Sequence, residues 1–181
     1  MNLFESLLQA QNGGGIEQLG RQFGVSNAQT EAALRQLVPA LSGGIRRNVS
    51  EPGGLDDLVG ALKRQDHERY YDDPRALEDQ NTVADGNAIL GHILGSKDVS
   101  RQVAARAAET SGVDSSILKK MLPVVAAMVM GSLSKGMGQS GGVQPGAGAG
   151  DMGDLLTSFL DADKDGSVID DLLGMAGRFL R

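Results

Sequence analysis

Apolar residues along this chain recur every three or four positions and rarely alternate, the spacing of one buried helix face rather than of a strand. Leu3 to Gln9 predicts a short first helix, closed by Gly13-Gly14-Gly15, and Ile16 to Phe23 a second, closed by Gly24 as a C-terminal cap. Ser26 then caps a long third helix with Ala33, Leu34, Leu37, Ala40 and Leu41 on its inner face and a kink expected at Pro39. Ser50-Glu51-Pro52 opens a helix carrying Leu55, Leu58, Val59 and Leu62, after which Lys63 to Asp73 is polar and the least patterned part of the chain. From Thr82 the series resumes through Ala88, Ile89, Leu90, Ile93 and Leu94. It breaks at Gly95-Ser96-Lys97-Asp98 and continues from about Val99 to Thr110. Gly112 and Asp114 lead into the most apolar run, Met121 to Met130, which predicts the central core helix; its methionines read as packing residues.

Two stretches share a plan. Phe23-Gly24-Val25-Ser26 leads to Leu37-Val38-Pro39, and Ser111-Gly112-Val113-Asp114 leads to Met121-Leu122-Pro123. The first is longer by about one helical turn, which keeps the same face inward, so a duplicated helix-turn-helix unit is expected, with both proline-bearing helices in one core. The predicted class is all-α: an irregular multi-helix array with two similar helix-turn-helix units over residues 1–134. A flexible Gly-rich linker over 135–150 and a helix, acidic loop, helix tail over 151–181 complete it. Low aromatic content (3%) and the dominance of Ala, Leu, Gln and Glu support helices over strands.

The formal charge of -6, with 17 basic residues dispersed, argues against a general nucleic-acid partner. The absence of Cys excludes disulfides and thiol ligands and agrees with a reducing cytoplasm. Met1-Asn2-Leu3-Phe4-Glu5 lacks the basic start of a secretory signal. Met121 to Met130 is about half the length a membrane span requires and is interrupted by Pro123, so no membrane span is expected.

The chemistry most visible in the sequence is in the tail. Asp161, Asp163 and Asp165 place carboxylates on alternate residues, Gly166 allows a sharp turn, and Ser167 offers its carbonyl, as in an oxygen-ligated calcium loop. Leu172 stands where a bidentate Glu would close the sphere, so closure falls to Asp170 or Asp171. The competing reading is a solvated helix start, with Ser167 and Asp170 as a capping box.

Gly86-Asn87-Ala88-Ile89-Leu90-Gly91-His92-Ile93-Leu94-Gly95, continuing through Ser111-Gly112-Val113 to Met121-Leu122-Pro123, resembles a bacterial domain-of-unknown-function family, DUF-937. It resembles YidB-like helical proteins more weakly. The resemblance runs over nearly the whole chain, including the Asp-rich tail. It implies an all-α fold of bacterial origin and carries no activity or catalytic residue.

Leu19-Gly20-Arg21-Gln22-Phe23-Gly24-Val25-Ser26 also has the shape of a DNA-reading helix-turn-helix. However, Asn27, Ala28, Gln29 and Glu31 supply no base before Arg35, and Gly20 stands where an Ala is usual. Gly91 to Lys97 lacks the spacing and strand of a phosphate loop, and His92 on an apolar face reads as a semi-buried, satisfied histidine. Tyr70-Tyr71-Asp72-Asp73 reads as a solvated turn or small interaction patch. No Ser, His and acid grouping stands out for catalysis. The expectation is a non-catalytic helical protein acting through a protein partner or self-association, with calcium in its tail loop and DNA binding as the alternative.

Overall fold

The run from Met121 to Met130 becomes the axis of the molecule. In the computed structural model, which describes residues 3–64 and 67–139, the helix α8 (Ser115–Gln139) is buried at every residue from Met121 to Leu133. Among the described residues seven helices precede it: α1 (Leu3–Gln9), α2 (Gly14–Phe23), α3 (Asn27–Ser50), α4 (Gly54–Arg64), α5 (Arg69–Asp72), α6 (Gln80–Leu94) and α7 (Lys97–Ser111). Two 3₁₀ turns, Ala10–Gly13 and Pro74–Glu78, join them, and no strand occurs among the described residues. The fold is all-α.

A helix apolar on all sides has to be surrounded. Here α6 covers α8 most extensively, with α7, α5, α3, α1 and α4 around the rest. Its stretch Ser115–Gly136, 22 residues with mean hydropathy 1.5, is long and apolar enough to cross a membrane, yet 78% of that window lies buried inside the fold. The expectation of half a span came from counting only the run from Met121 to Met130. The helix also runs to Gln139, so the first five residues of the expected linker are helical. The acidic loop and the tail helices lie outside the described residues.

Leu34, Leu37, Val38 and Leu41 of α3 share one core with Leu118, Met121, Leu122 and Val125 of α8, so both proline-bearing helices meet as expected. Each fully buried Leu or Met contributes about 1.5–3 kcal/mol relative to an exposed one. That exceeds the roughly 1 kcal/mol of a single internal hydrogen bond, and burial rather than polar linkage therefore dominates the stability. The helices also approach closely at small residues. A Cβ on Gly86 of α6 would stand 1.9 Å from the Pro123 carbonyl oxygen of α8, and one on Gly131 of α8 would stand 2.7 Å from the His67 carbonyl oxygen.

Three local readings change. Tyr70 is 1% exposed rather than part of a solvated turn, because its ring enters the core while its hydroxyl finds polar partners. His92 is exposed rather than semi-buried, since the apolar face of α6 is set by Leu90, Ile93 and Leu94. Finally, α3 continues to Ser50, and the next helix opens at Gly54 instead of Ser50-Glu51-Pro52.

Candidate interaction surface

The two helix-turn-helix units are built by the same turn chemistry. In the first, Gly24 adopts the left-handed conformation (φ 69°), and its N–H donates to the Gly20 carbonyl, as does that of Val25 at 2.9 Å. Ser26 then closes a capping box: its hydroxyl accepts from the Gln29 N–H at 3.2 Å, and Gln29 Oε1 accepts from the Ser26 N–H at 3.1 Å. In the second, Gly112 (φ 68°) donates to the Ala108 carbonyl at 3.2 Å, and Asp114 Oδ1 accepts from the Ser116 N–H at 2.7 Å. Ala108 thus occupies the place taken by Gly20 in the first unit. Hydrogen bonds from Ser116, reinforced by the nearby Lys119 ammonium, hold the Asp114 carboxyl below its ordinary pKa.

The units differ in what they present. At the start of α3, Asn27 and Ala28 are exposed without charge, and Arg35 is committed: its Nη2 lies 2.6 Å from Glu31 Oε1 and its guanidinium 5.2 Å from the Phe4 ring centroid. At the start of α8, Ser116, Lys119 and Lys120 are exposed. Residues 97–120 carry five basic and three acidic side chains. Arg101 pairs with Asp98 at 2.8 Å, while Lys97, Arg106, Lys119 and Lys120 close no ion pair among the described residues.

The opposite polarity gathers where α5, the Pro74–Glu78 turn and the start of α6 meet. Residues 68–85 carry six acidic and two basic side chains. Asp85 of α6 accepts from the buried Tyr70 hydroxyl; Arg69 Nη2 donates to that hydroxyl at 2.6 Å and lies 4.7 Å from the ring centroid through its guanidinium carbon. Burial, then the Asp85 contact, raises the Tyr70 phenol pKa, and Arg69 opposes the shift. Lys135, near the end of α8, donates to Asp72 Oδ2 at 2.8 Å, and this contact raises its pKa. Asp73 and Asp79 cap the following segments by accepting from the Arg75 and Asn81 N–H groups at 2.9 Å. Glu68, Asp73, Glu78 and Asp79 close no ion pair among the described residues.

Large apolar side chains contribute almost nothing to this surface. Among the described residues the exposed one is Val83, 36% exposed, one turn into α6 between the acids Asp79 and Asp85. An open cleft between α2 and the Pro74–Glu78 turn is lined by Gln18, Arg21, Gln22, Asp73, Pro74, Arg75 and Glu78. Its polar groups largely satisfy one another: Gln18 donates to Glu78, Arg21 donates to Gln18 at 2.8 Å, and Gln22 donates to the Leu77 carbonyl at 3.2 Å.

The predicted calcium ligands Asp161, Asp163, Asp165, Ser167, Asp170 and Asp171 lie outside the described residues. Among the described residues no group of three or more His, Asp or Glu is placed to hold a metal ion. Sequence reasoning missed the basic and acidic ends because it summed charge over the chain. Counting it by segment is the signal that finds them.

An all-α fold with glycine-capped helix-turn-helix units around a central apolar helix is the architecture on which family membership can be judged. Residues 5–136 match the family described as bacterial protein of unknown function (DUF937), and the chain belongs to that family. The match ends at Gly136, so the Asp-rich tail lies outside it, contrary to the expectation of resemblance through the tail. Likeness to YidB-like proteins is not shown by any match, and neither a curated protein nor a solved structure matches the chain.

Proposed function

We propose that this protein is a non-catalytic helical module that acts by docking to protein surfaces, copies of itself included, through the two oppositely charged ends of its body. One observation carries the reading: bases outnumber acids five to three over α7 and the start of α8, and acids outnumber bases six to two over α5 and the start of α6, on a body whose large apolar side chains, among the described residues, are otherwise covered. Such a surface favours salt-sensitive, electrostatically steered contacts over a broad apolar interface. The tail adds a calcium-responsive element through Asp161, Asp163, Asp165 and the Ser167 carbonyl, closed by Asp170 or Asp171. A cytoplasmic location accords with the cysteine-free composition.

The test is retention of partners from native bacterial lysate on the immobilised full chain, with and without calcium, beside a Lys119→Glu/Lys120→Glu variant. A protein held by the natural chain and released by charge reversal is expected. Identical retention by both chains refutes docking through the basic end. Duplex DNA binding is the second reading, favoured by the left-handed glycine turn leading to Lys119 and Lys120 at the exposed start of α8. Its check is retention of a labelled duplex that is lost in the same variant.

A further inference from the structure

The positions of the two charged ends along α8 specify a partner. Lys119 and Lys120 stand in the first two turns of that helix, and Lys135, near its other end, is tied to Asp72 beside the acidic segment. Fifteen residues at a rise of 1.5 Å put these landmarks about 22 Å apart. Each body therefore carries its exposed lysine pair and its Asp72 contact at separate points along α8, while the end of the acidic segment reaches Gly86, packed on Pro123. The complementarity is one of net excess: residues 97–120 carry five bases and three acids, with Lys119 and Lys120 in no ion pair, and residues 68–85 carry six acids and two bases, with Glu68, Asp73, Glu78 and Asp79 in none, among the described residues. Val83 adds one exposed aliphatic side chain within the acidic segment.

From this complementarity we infer that the occupant of the basic end is the acidic end of a second copy, docked head to tail. The inference rests on the reading that the chain works through protein contacts, and it names the partner. A contact between two different patches of the same molecule is heterologous: it leaves one basic and one acidic end unfilled and adds further copies until a ring closes. Because matched surface charges rather than apolar area form the contact, association is weak, and salt dissolves it. At about 20 mM NaCl the Debye length is on the order of 20 Å, comparable with the spacing of the ends, and at about 0.5 M it falls to about 4 Å.

The full chain is followed by sedimentation velocity over a range of concentrations at both salt levels, in EDTA so that the tail loop holds no calcium. Concentration-dependent growth at low salt and monomer at high salt are expected. Lys119→Glu/Lys120→Glu leaves a molecule with two acidic ends, and Glu68→Lys/Glu78→Lys one whose segment 68–85 is neutral, with four acids and four bases, beside an intact basic end. Each variant alone should associate at least about tenfold more weakly, and an equimolar mixture of the two should associate again because the intact acidic end of one then meets the intact basic end of the other. Circular dichroism confirms that both variants remain helical, and the recovery on mixing is a result that misfolded chains would not give. A natural chain that stays monomeric at low salt overturns the inference, as does a mixture no more associated than its components. If the chain is monomeric while Lys119→Glu/Lys120→Glu releases a captured protein, protein docking stands and the second copy is the wrong partner. If a duplex of about 25 base pairs is released instead, the basic end is a nucleic-acid face and the head-to-tail contact is overturned.

Discussion

Two glycines of the same helix should respond to the same substitution with opposite signs. A Cβ on Gly86 would lie 1.9 Å from the Pro123 oxygen and 2.5 Å from its carbonyl carbon, both backbone atoms of α8, whereas a Cβ on Gly91 would meet nothing within 4 Å. Gly86→Ala must therefore move α6 away from α8 by about 1 Å, which forfeits a quarter to a half of the dispersion energy of the contacts that open. Overpacking costs about 1–3 kcal/mol, and because the obstacle is main chain the upper end applies. Alanine returns about 1 kcal/mol of helix propensity at either site. The net expectation is a loss of about 2 kcal/mol for Gly86→Ala and a gain of up to about 1 kcal/mol for Gly91→Ala. Guanidinium denaturation followed at 222 nm gives the two midpoints, and thermal melting should show a fall of about 4–8 °C against a rise of about 2–4 °C. If both variants raise the midpoint alike, α6 does not pack on α8 at Pro123. Since α6 also carries Val83 and Asp85, Gly86→Ala should weaken low-salt association as well.

The buried Ser6–Ser132 hydroxyl pair, 2.7 Å apart and joining α1 to α8, makes Ser6→Ala cost about 1–3 kcal/mol by orphaning Ser132, with much of the loss recovered in Ser6→Ala/Ser132→Ala; equal losses in urea melts would refute the pairing. Because the folded Tyr70 pKa is raised, mainly by burial, its stabilising contribution is complete below the unfolded value of about 10 and is lost as pH climbs through the folded one. The natural chain should thus lose stability more steeply above about pH 10 than Tyr70→Phe, and parallel curves of denaturation midpoint against pH would refute this. Calcium should bind the tail loop with a dissociation constant of about 0.1–1 mM, without a bidentate Glu to tighten it. Calorimetry showing no heat at several millimolar, or the same isotherm in Asp163→Ala/Asp165→Ala, would return that loop to a capped turn.

The features legible in the sequence were those encoded by neighbours along the chain. Gly24-Val25-Ser26, Gly95-Ser96 and Gly112-Val113-Asp114 each announce a helix end and the cap of the next, and the structure uses all three in that way. The glycines of close approach were not legible, because Gly86 needs its partner Pro123, 37 residues away, before its missing side chain has a meaning. Tyr70 was hidden for the converse reason. Its neighbours Arg69, Tyr71 and Asp72 make the segment look solvated, whereas Asp85, brought beside it by α6, gives the buried hydroxyl an acceptor. The charged ends were legible as counts by segment and invisible in the total of -6.

The contrast between the two helix-turn-helix units explains why the basic end lies where it does. Both begin with the same left-handed glycine and capped turn, but α3 is amphipathic over its length and remains partly exposed, whereas α8 enters the centre of the fold and is buried without interruption from Met121. Lysines on α8 are therefore tolerated only before that point or after Leu133, since an unpaired ammonium in the buried stretch would lose hydration without a compensating partner. Lys119 and Lys120 are the last two residues before burial begins, and Lys135 stands two residues after it ends, already paired with Asp72. The helix that organises the core thus also sorts the charges. It leaves its unpaired lysines at one end of the molecule and its paired lysine beside the acidic end, an axis on which one copy can recognise another.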